Sequence, residues 1–415
     1  MPIKIVHTAD LHLDSPLQSL AMRDEALQEK VITASRGSLE RMVDFCIAEG
    51  ISAFLISGDL FDRSERSAKT AAYLVRQFER LVSVGVQVFY IKGNHDAENP
   101  ITGEIQFPPG VHTFDGKGGK IKLASEVWIH GVSFRDRHAP ESLLGKFQLP
   151  EPNAVNIAML HTSLAGAAGH DPYAPCSIAN LKDMGFDYWA LGHVHKRQVH
   201  LQSPWIVMPG NPQGRDVGES GPKSATLLTI ESGKISIEEI STSLVEFRDV
   251  SIVLDGAIDD DSIRKAIRRR LTAEAASVAE AAVVRISLDG QSERAWHVLR
   301  DRDVWTEIVK QAFEDTRKLW LDKMSINVVA PDNSAAPLDA PSEVQDLMTR
   351  IASEDGFLVT ANTELEQVLS ALPPSIRASI APDATAVKEL MARLTRNAVR
   401  SMAAMMRGKD ESQTP

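Results

Sequence analysis

Five short segments bring together side chains that hold metal ions. They are Asp10-Leu11-His12, Gly58-Asp59-Leu60-Phe61-Asp62, Gly93-Asn94-His95-Asp96, the single His161, and Gly192-His193-Val194-His195. Their donors are Asp, Asn and His, with no cysteine. That hard-to-borderline set suits Mn, Fe, Zn or a similar divalent ion. In an extended or turning segment, Asp-x-His sends both side chains to one side, so Asp10 and His12 reach one ion. His193 and His195 repeat that spacing. The glycines let the chain turn sharply where a strand ends. A carboxylate can bridge two ions with its two oxygens, which Asn and His cannot do in the same way. Two ions about 3.5–4 Å apart clamp the attacking and leaving oxygens of an in-line displacement at phosphorus. The chemistry implied is hydrolysis of a phosphate ester. Each Asp or His alone is more often a helix cap than a ligand. Five such segments in order weigh for ligands.

Elements must position these groups, and the sequence supplies them. Apolar runs of strand length precede every segment: residues 4–8, 53–57, 86–91, 156–160 and 188–191. Helical patterns at 25–49 and 67–82 lie between the first three. Strands alternating with helices predict an α/β fold with a layered sheet, whose ligands bind beyond the carboxyl ends of the strands. After a hairpin-like pair at 224–230 and 234–240 the character changes. Strand patterns at 247–254, 282–288 and 319–329 alternate with helical ones at 261–275 and 301–315, which reads as a small α+β domain. A Pro/Ala/Asp-rich linker covers 330–341, and helices follow, interrupted at Pro373-Pro374. The expected domains are residues 1–242, 243–330 and 331–415. In the last helix, Val387, Leu390, Met391, Leu394, Ala398, Met402 and Met405 recur at helical spacing, with Lys388, Arg393, Arg396 and Arg400 opposite. Such a stripe either packs on the protein's own core or binds a partner.

The formal net charge of -11 argues against a basic surface that wraps nucleic acid. It leaves room for a nucleic-acid enzyme, because clustered carboxylates count as negative until metals neutralise them. Two cysteines, Cys46 and Cys176, exclude a disulfide framework and point to a reducing compartment. No stretch has the length of a membrane span, so a soluble cytoplasmic protein is expected, with no membrane partner. Several residues near the motifs have plainer readings. His7, inside a strand, reads as a core histidine, His138 and His170 as loop residues, and Asp14 in Asp-Ser-Pro as a turn or cap. Cys176 reads as a buried thiol.

In this order the five segments closely resemble the calcineurin-like metallophosphoesterase superfamily. GDLFD, GNHD and GHVH look like the SbcD-type DNA-repair nucleases. ADLHLDSPL (residues 9–17) and YAPCSIANLKDMGFDYWALGHVH (173–195) look most like their YhaO-like branch. The resemblance covers roughly residues 1–240. It implies a layered β-sandwich flanked by helices, the metallophosphoesterase fold, with an α+β capping domain and a helical C-terminal tail. By resemblance, Asp10, His12, Asp59 and His195 hold one ion. Asp59, Asn94, His161 and His193 hold the other, with Asp59 as the bridge. His95 stays out of the metal shell and protonates the leaving oxygen, while Asp62 and Asp96 orient His95 or support the ligands. The implied cofactors are two divalent ions, Mn first, with Mg, Fe or Zn as alternatives. The implied activity is a DNA exonuclease or endonuclease in repair, working with an SMC-like ATPase docked through the C-terminal helices; a homodimer is also expected. Arg63 and Arg66 beside Asp62, Lys196 and Arg197 beside His195, and Arg215, together with Arg135 and Arg137, are candidate phosphate contacts. Solvated surface charge is an equal reading for them. The motifs serve equally a phosphodiesterase for small molecules such as cyclic nucleotides. A scaffold protein for the ATPase is a third possibility, against which the intact ligand set weighs.

Overall fold

The structure, a computed structural model, describes residues 2–15, 25–62, 67–99, 105–137, 139–164, 173–330 and 340–410. Arg63, Arg66, His138 and His170 lie outside the described residues. The chain opens with β1 (Ile3–Thr8), α1 (Glu25–Ala48), β2 (Ala53–Ser57), α2 (Ala68–Ser83), β3 (Gln87–Ile91), α3 (Asn94–Glu98) and β4 (Val111–Thr113). It continues with β5 (Gly119–Ala124), β6 (Val127–Val132), β7 (Val155–His161), α4 (Ile178–Asp183) and β8 (Tyr188–Gly192). Then come β9 (Gln198–Gln202), β10 (Trp205–Met208) and the hairpin β11 (Ser224–Glu231) and β12 (Lys234–Ser241). These strands form two six-stranded sheets, ordered β12-β11-β1-β2-β3-β4 and β5-β6-β7-β8-β10-β9.

Alternation of side chains across each strand builds three apolar layers. From the first sheet, Ile5, Leu55, Phe89 and Ile91 point between the sheets, where they meet Ile129, Ile157, Met159 and Tyr188 of the second. Their neighbours Val6, Phe54, Ile56 and Tyr90 point outward, onto Leu39, Met42 and Val43 of α1 and Leu74, Phe78 and Leu81 of α2. On the far side, Leu160, Trp189 and Leu191 pack with Leu181 of α4 and Phe186. The central strands are parallel, β1-β2-β3 in one sheet and β6-β7-β8 in the other. Burial on both faces explains why they read as continuous apolar runs. Helix α2 begins where Ser67 accepts a hydrogen bond from Thr70 N (3.2 Å), a side-chain N-cap.

Two histidines are part of this core. His7 of β1 meets Tyr188 Oη (2.9 Å) and Leu191 O (3.0 Å), the satisfied core histidine expected. His130 of β6 meets Asn156 Oδ1 (3.1 Å). Burial pushes His7 down to about 3 and His130 down to about 4. Both stay neutral in the folded chain while an unfolded histidine takes a proton near 6.5. Their contribution is therefore complete above pH 6.5 and is lost as pH falls toward 4. Between pH 7.5 and 5 each is expected to remove about 2 kcal/mol of stability. Urea unfolding of the wild type and His130→Gln at both pH values checks this, and the variant should lose less on acidification.

The described chain divides into two compact units, Met1–Arg248 with Val278–Val284, and Asp249–Ser277 with Arg285–Pro415. Strands β13 (Val245–Val253), β14 (Ala281–Asp289) and β15 (Leu319–Ile326) form a three-stranded sheet. It is accompanied by α5 (Asp260–Ser277), α6 (Ala295–Arg300) and α7 (Arg302–Glu314), and followed by α8 (Ala340–Ala352), α9 (Asp355–Ser370), α10 (Pro374–Ile380) and α11 (Ala384–Asp410). Helix α11 packs on α6 and α8, and its buried residues include Ala403 and Ala404. Arg400, expected on the polar face, donates to Val328 O. Leu394, Met402 and Met405 of the apolar stripe are 49%, 51% and 56% exposed. Val387, Leu390 and Met391 of the same stripe are half-buried, so its C-terminal part is the more exposed. Leu347, Ile351, Phe357, Val359, Val368 and Ile376 on α8 to α10 are exposed as well. No helix among the described residues is long and apolar enough to cross a membrane.

Candidate metal centre

The five segments leave the carboxyl ends of β1, β2, β3, β7 and β8 and are stitched together by main-chain hydrogen bonds. Asp10 N donates to Gly58 O (3.0 Å), His12 N to Asp59 O (3.1 Å) and Leu13 N to Leu60 O (3.1 Å). Asp10, His12, Asp59 and His193 have φ of 54°, 41°, 51° and 107°. Such left-handed conformations are strained for residues with a Cβ and persist where the surroundings impose them, often at functional sites. His193 N donates to both Asp10 oxygens (3.1 and 3.0 Å), which locks two of the segments together.

Three groups of candidate ligand atoms result among the described residues, one of them His12 with Asp62 and His95. Those of Asp10, His12 and His195 lie within 4.8 Å of one another, and so do those of Asp59, His161 and His193. In the first group, His12 Nε2 stands 3.2 Å from His195 Nε2. Asp59 joins the groups: its Oδ2 lies 3.4 Å from His161 Nε2 and 3.8 Å from His12 Nε2. Its Oδ1 accepts from His95 N (2.9 Å). Ser57 O lies 2.9 Å from His161 Nδ1 and can only accept, so Nδ1 of a neutral ring carries the proton. The lone pair of Nε2 then faces Asn94 Oδ1, 3.0 Å away. Two acceptor atoms turned toward each other suit a cation between them, and the whole donor set of Asp, Asn and His fits two divalent ions sharing Asp59. Burial lowers the His161 imidazole, but the charge and hydrogen bond of Asp59 outweigh it and push the group up to about 9, so a proton on Nε2 takes the place that a cation would otherwise hold between these acceptors. The cluster draws positive charge strongly.

His95, in the third group, sits beside the other two. Its Nδ1 meets Asp62 Oδ1 (3.0 Å), and Asp62 Oδ2 accepts from Ser15 Oγ (2.9 Å). Asp96 works differently. Its buried carboxylate accepts from Phe61 N and Gly93 N (3.0 Å each) and braces the loops that carry Asp59 and Asn94. Asp14 corrects the cap expectation, since its carboxylate is gripped by Arg36 Nε (2.7 Å) and Nη2 (2.5 Å) and by the Thr70 hydroxyl. Arg197 corrects the phosphate-contact expectation. Its guanidinium is spent on Thr226 Oγ1 (2.6 Å) and Glu239 (3.2 Å) of the hairpin. Arg215 leans on Glu219 and His195, while Lys196 and Arg135 are exposed. Cys176 is a buried thiol that burial pushes up, 3.3 Å from Thr162 Oγ1.

Residues that no sequence motif singles out complete the site. Ser15 and Arg36 hold the segment after His12. Glu219 Oε1 lies 2.6 Å from His195 Nδ1. Burial raises the Glu219 carboxyl, but the His195 hydrogen bond and Arg215 bring it down to about 2. Gly93 is constrained too, because a Cβ there would run into the Asp59 carboxylate and the His161 ring. Gly93→Ala is expected to lower kcat on a chromogenic phosphodiester at least about a hundredfold, since small displacements of reacting groups have such effects. Gly145, where a Cβ meets nothing within 4 Å, is the control.

Comparison with known proteins agrees with this geometry. Residues 3–197 match the calcineurin-like phosphoesterase family, and residues 247–329 match the middle domain of metallophosphoesterase YhaO. The chain is 37% identical over 246 residues to the uncharacterized metallophosphoesterase YhaO of Bacillus subtilis, covering 57% of this chain and 59% of that protein. It is 24% identical to the DNA double-strand break repair protein Mre11 of Sulfurisphaera tokodaii, over 64% of this chain and 68% of the relative. It is 22% identical to one of the subunits of nuclease SbcCD of Escherichia coli, over 78% of this chain and 94% of that relative. The similarity to the Bacillus protein thus spans about three fifths of that relative's length.

Proposed function

We propose, for a chain that belongs to the calcineurin-like phosphoesterases and to their YhaO-like branch, related to Mre11 and SbcD, that it is a two-metal phosphodiesterase that cuts DNA. The observation that carries this is the convergence of seven ligand side chains, with Asp59 Oδ2 facing His161 on one side and His12 on the other. Asp10, His12, Asp59 and His195 hold one ion. Asp59, Asn94, His161 and His193 hold the other. Manganese suits this mixed carboxylate, amide and imidazole set.

Bound there, the ions make a water acidic near neutral pH and neutralise the non-bridging phosphate oxygens as charge grows. The chain's own residues do the rest. Asp59 Oδ1 holds the His95 main chain (2.9 Å), so the bridging carboxylate and the acid are set by one contact. Asp62 accepts from His95 Nδ1, which orients the ring and reserves Nε2 for the leaving oxygen. His95 gives up the Nε2 proton as the ester bond breaks.

DNA as the substrate is supported by relatives named as a double-strand break repair protein and a part of a nuclease. A second compact unit beyond the phosphoesterase domain also supports a large substrate. Exposed apolar side chains on α8 to α11 suit a helical partner, and an SMC-like ATPase is the partner proposed. The test is the purified chain with Mn, assayed on linear duplex DNA and on cyclic nucleotides. Cleavage of DNA supports the proposal. Intact DNA beside robust cyclic-nucleotide turnover overturns it in favour of a small-molecule phosphodiesterase.

A further inference from the structure

We propose that Glu219 is a positioning residue that holds the His195 proton on Nδ1 and leaves the Nε2 lone pair free for the ion, and so sets the affinity of one metal site and not the other. The inference rests on the two-ion reading above. His195 Nδ1 has two rivals for its one position. Glu219 Oε1 lies 2.6 Å away and Arg215 Nη2 lies 3.1 Å away. A carboxylate only accepts, so the Glu219 contact needs the proton on Nδ1. A guanidinium only donates, so the Arg215 contact needs Nδ1 bare, which in a neutral ring puts the proton on Nε2. Nε2 is the atom 3.2 Å from His12 Nε2, inside the group with Asp10. Only the Glu219 contact leaves a lone pair there for a metal. The shorter, charge-assisted contact prevails. Glu219 also gives Arg215 an acceptor, at 3.4 Å from both Nε and Nη2.

Glu219 is itself held. Its side chain is 14% exposed. Oε2 accepts from Asn211 Nδ2 (2.6 Å) and from Arg215 N (2.8 Å). Asn211 N in turn donates to His195 O (3.2 Å). Gly210 before it has φ 75°, and a Cβ there would press on His195 O (2.7 Å). The loop from 210 to 219 therefore closes around His195 from main chain to ring. The other group is arranged differently, since His161 is oriented by the neutral carbonyl of Ser57 (2.9 Å). Loss of Glu219 should accordingly touch one site alone.

The experiment is Mn(II) titration of the full-length chain by equilibrium dialysis, with electron paramagnetic resonance to detect spin-coupled Mn pairs. The wild type is expected to bind two ions. Glu219→Ala is expected to bind one of them about 10–100-fold more weakly, the range typical of groups that orient metal ligands. The second ion keeps its affinity, and the coupled signal gives way to single-ion signal at sub-saturating Mn. Glu219→Gln keeps the shape and an acceptor oxygen, so a loss of only several-fold is expected. It carries the test if the alanine variant does not fold. Two ions bound with wild-type affinities in both variants would overturn the inference and leave the two-ion reading standing, as would equal weakening of both sites. A wild type that binds fewer than two ions would overturn that reading and this inference with it.

Discussion

Asp59→Asn lowers kcat by about a thousandfold or more and leaves the chain with fewer than two tightly bound ions. The carboxylate has one oxygen committed to His95 N (2.9 Å) and the other facing both ligand groups, 3.4 Å from His161 and 3.8 Å from His12. Asparagine can keep the first contact with its single carbonyl oxygen, which then turns an amide NH2 toward the ions. The bridge and one negative charge go together. Charge stabilisation by a metal pair is worth several kcal/mol, and each 1.36 kcal/mol is about tenfold in rate. Steady-state rates on a chromogenic phosphodiester and metal content by mass spectrometry check both parts. A variant with two ions and a mere few-fold loss would contradict the bridging role.

His95→Asn is expected to separate chemistry from metal binding. It lowers kcat by about 10²- to 10⁴-fold, the span of general acid catalysis, with both ions retained. The physical reason is the Asp62–His95 pair at 3.0 Å, which orients the ring. The loss should grow with the basicity of the leaving group, because a poor leaving oxygen needs the proton more. A nitrophenolate ester and an alkyl ester of the same phosphate make that comparison. Unchanged activity, or loss of an ion, would rule out the acid role.

The candidate ligand residues, which the structure brings together, were legible because the chemistry dictates residue type and the fold dictates place. An Asp or His directly beyond a buried strand is often a cap, but five such segments in order point one way. What holds them was not legible. Glu219 is 24 residues from His195, and Ser15 is 47 from Asp62. Such pairs form only when loops from different strands meet, and no local pattern records that. Arg197 stands beside His195 in sequence, yet the sheet turns it toward Glu239. The expected central strands and the long helices stand in the structure. Strands β4, β5, β9 and β10 were missed, as were the short helices α3, α4 and α6. Gln198–Gln202 is a short edge strand with two exposed or half-buried apolar residues, and β4 is three residues long. At α11 the helix stands as the spacing predicts, with Ala403 and Ala404 buried and Leu394, Met402 and Met405 exposed.

Crystals of the Mn-loaded chain, measured at the manganese absorption edge, test the metal centre most directly. Two anomalous peaks about 3.5–4 Å apart are expected. One should lie among Asp10, His12 and His195, the other among Asn94, His161 and His193, with the Asp59 carboxylate between them. A single peak, or manganese bound away from these side chains, would contradict the two-ion centre and the hydrolysis built on it.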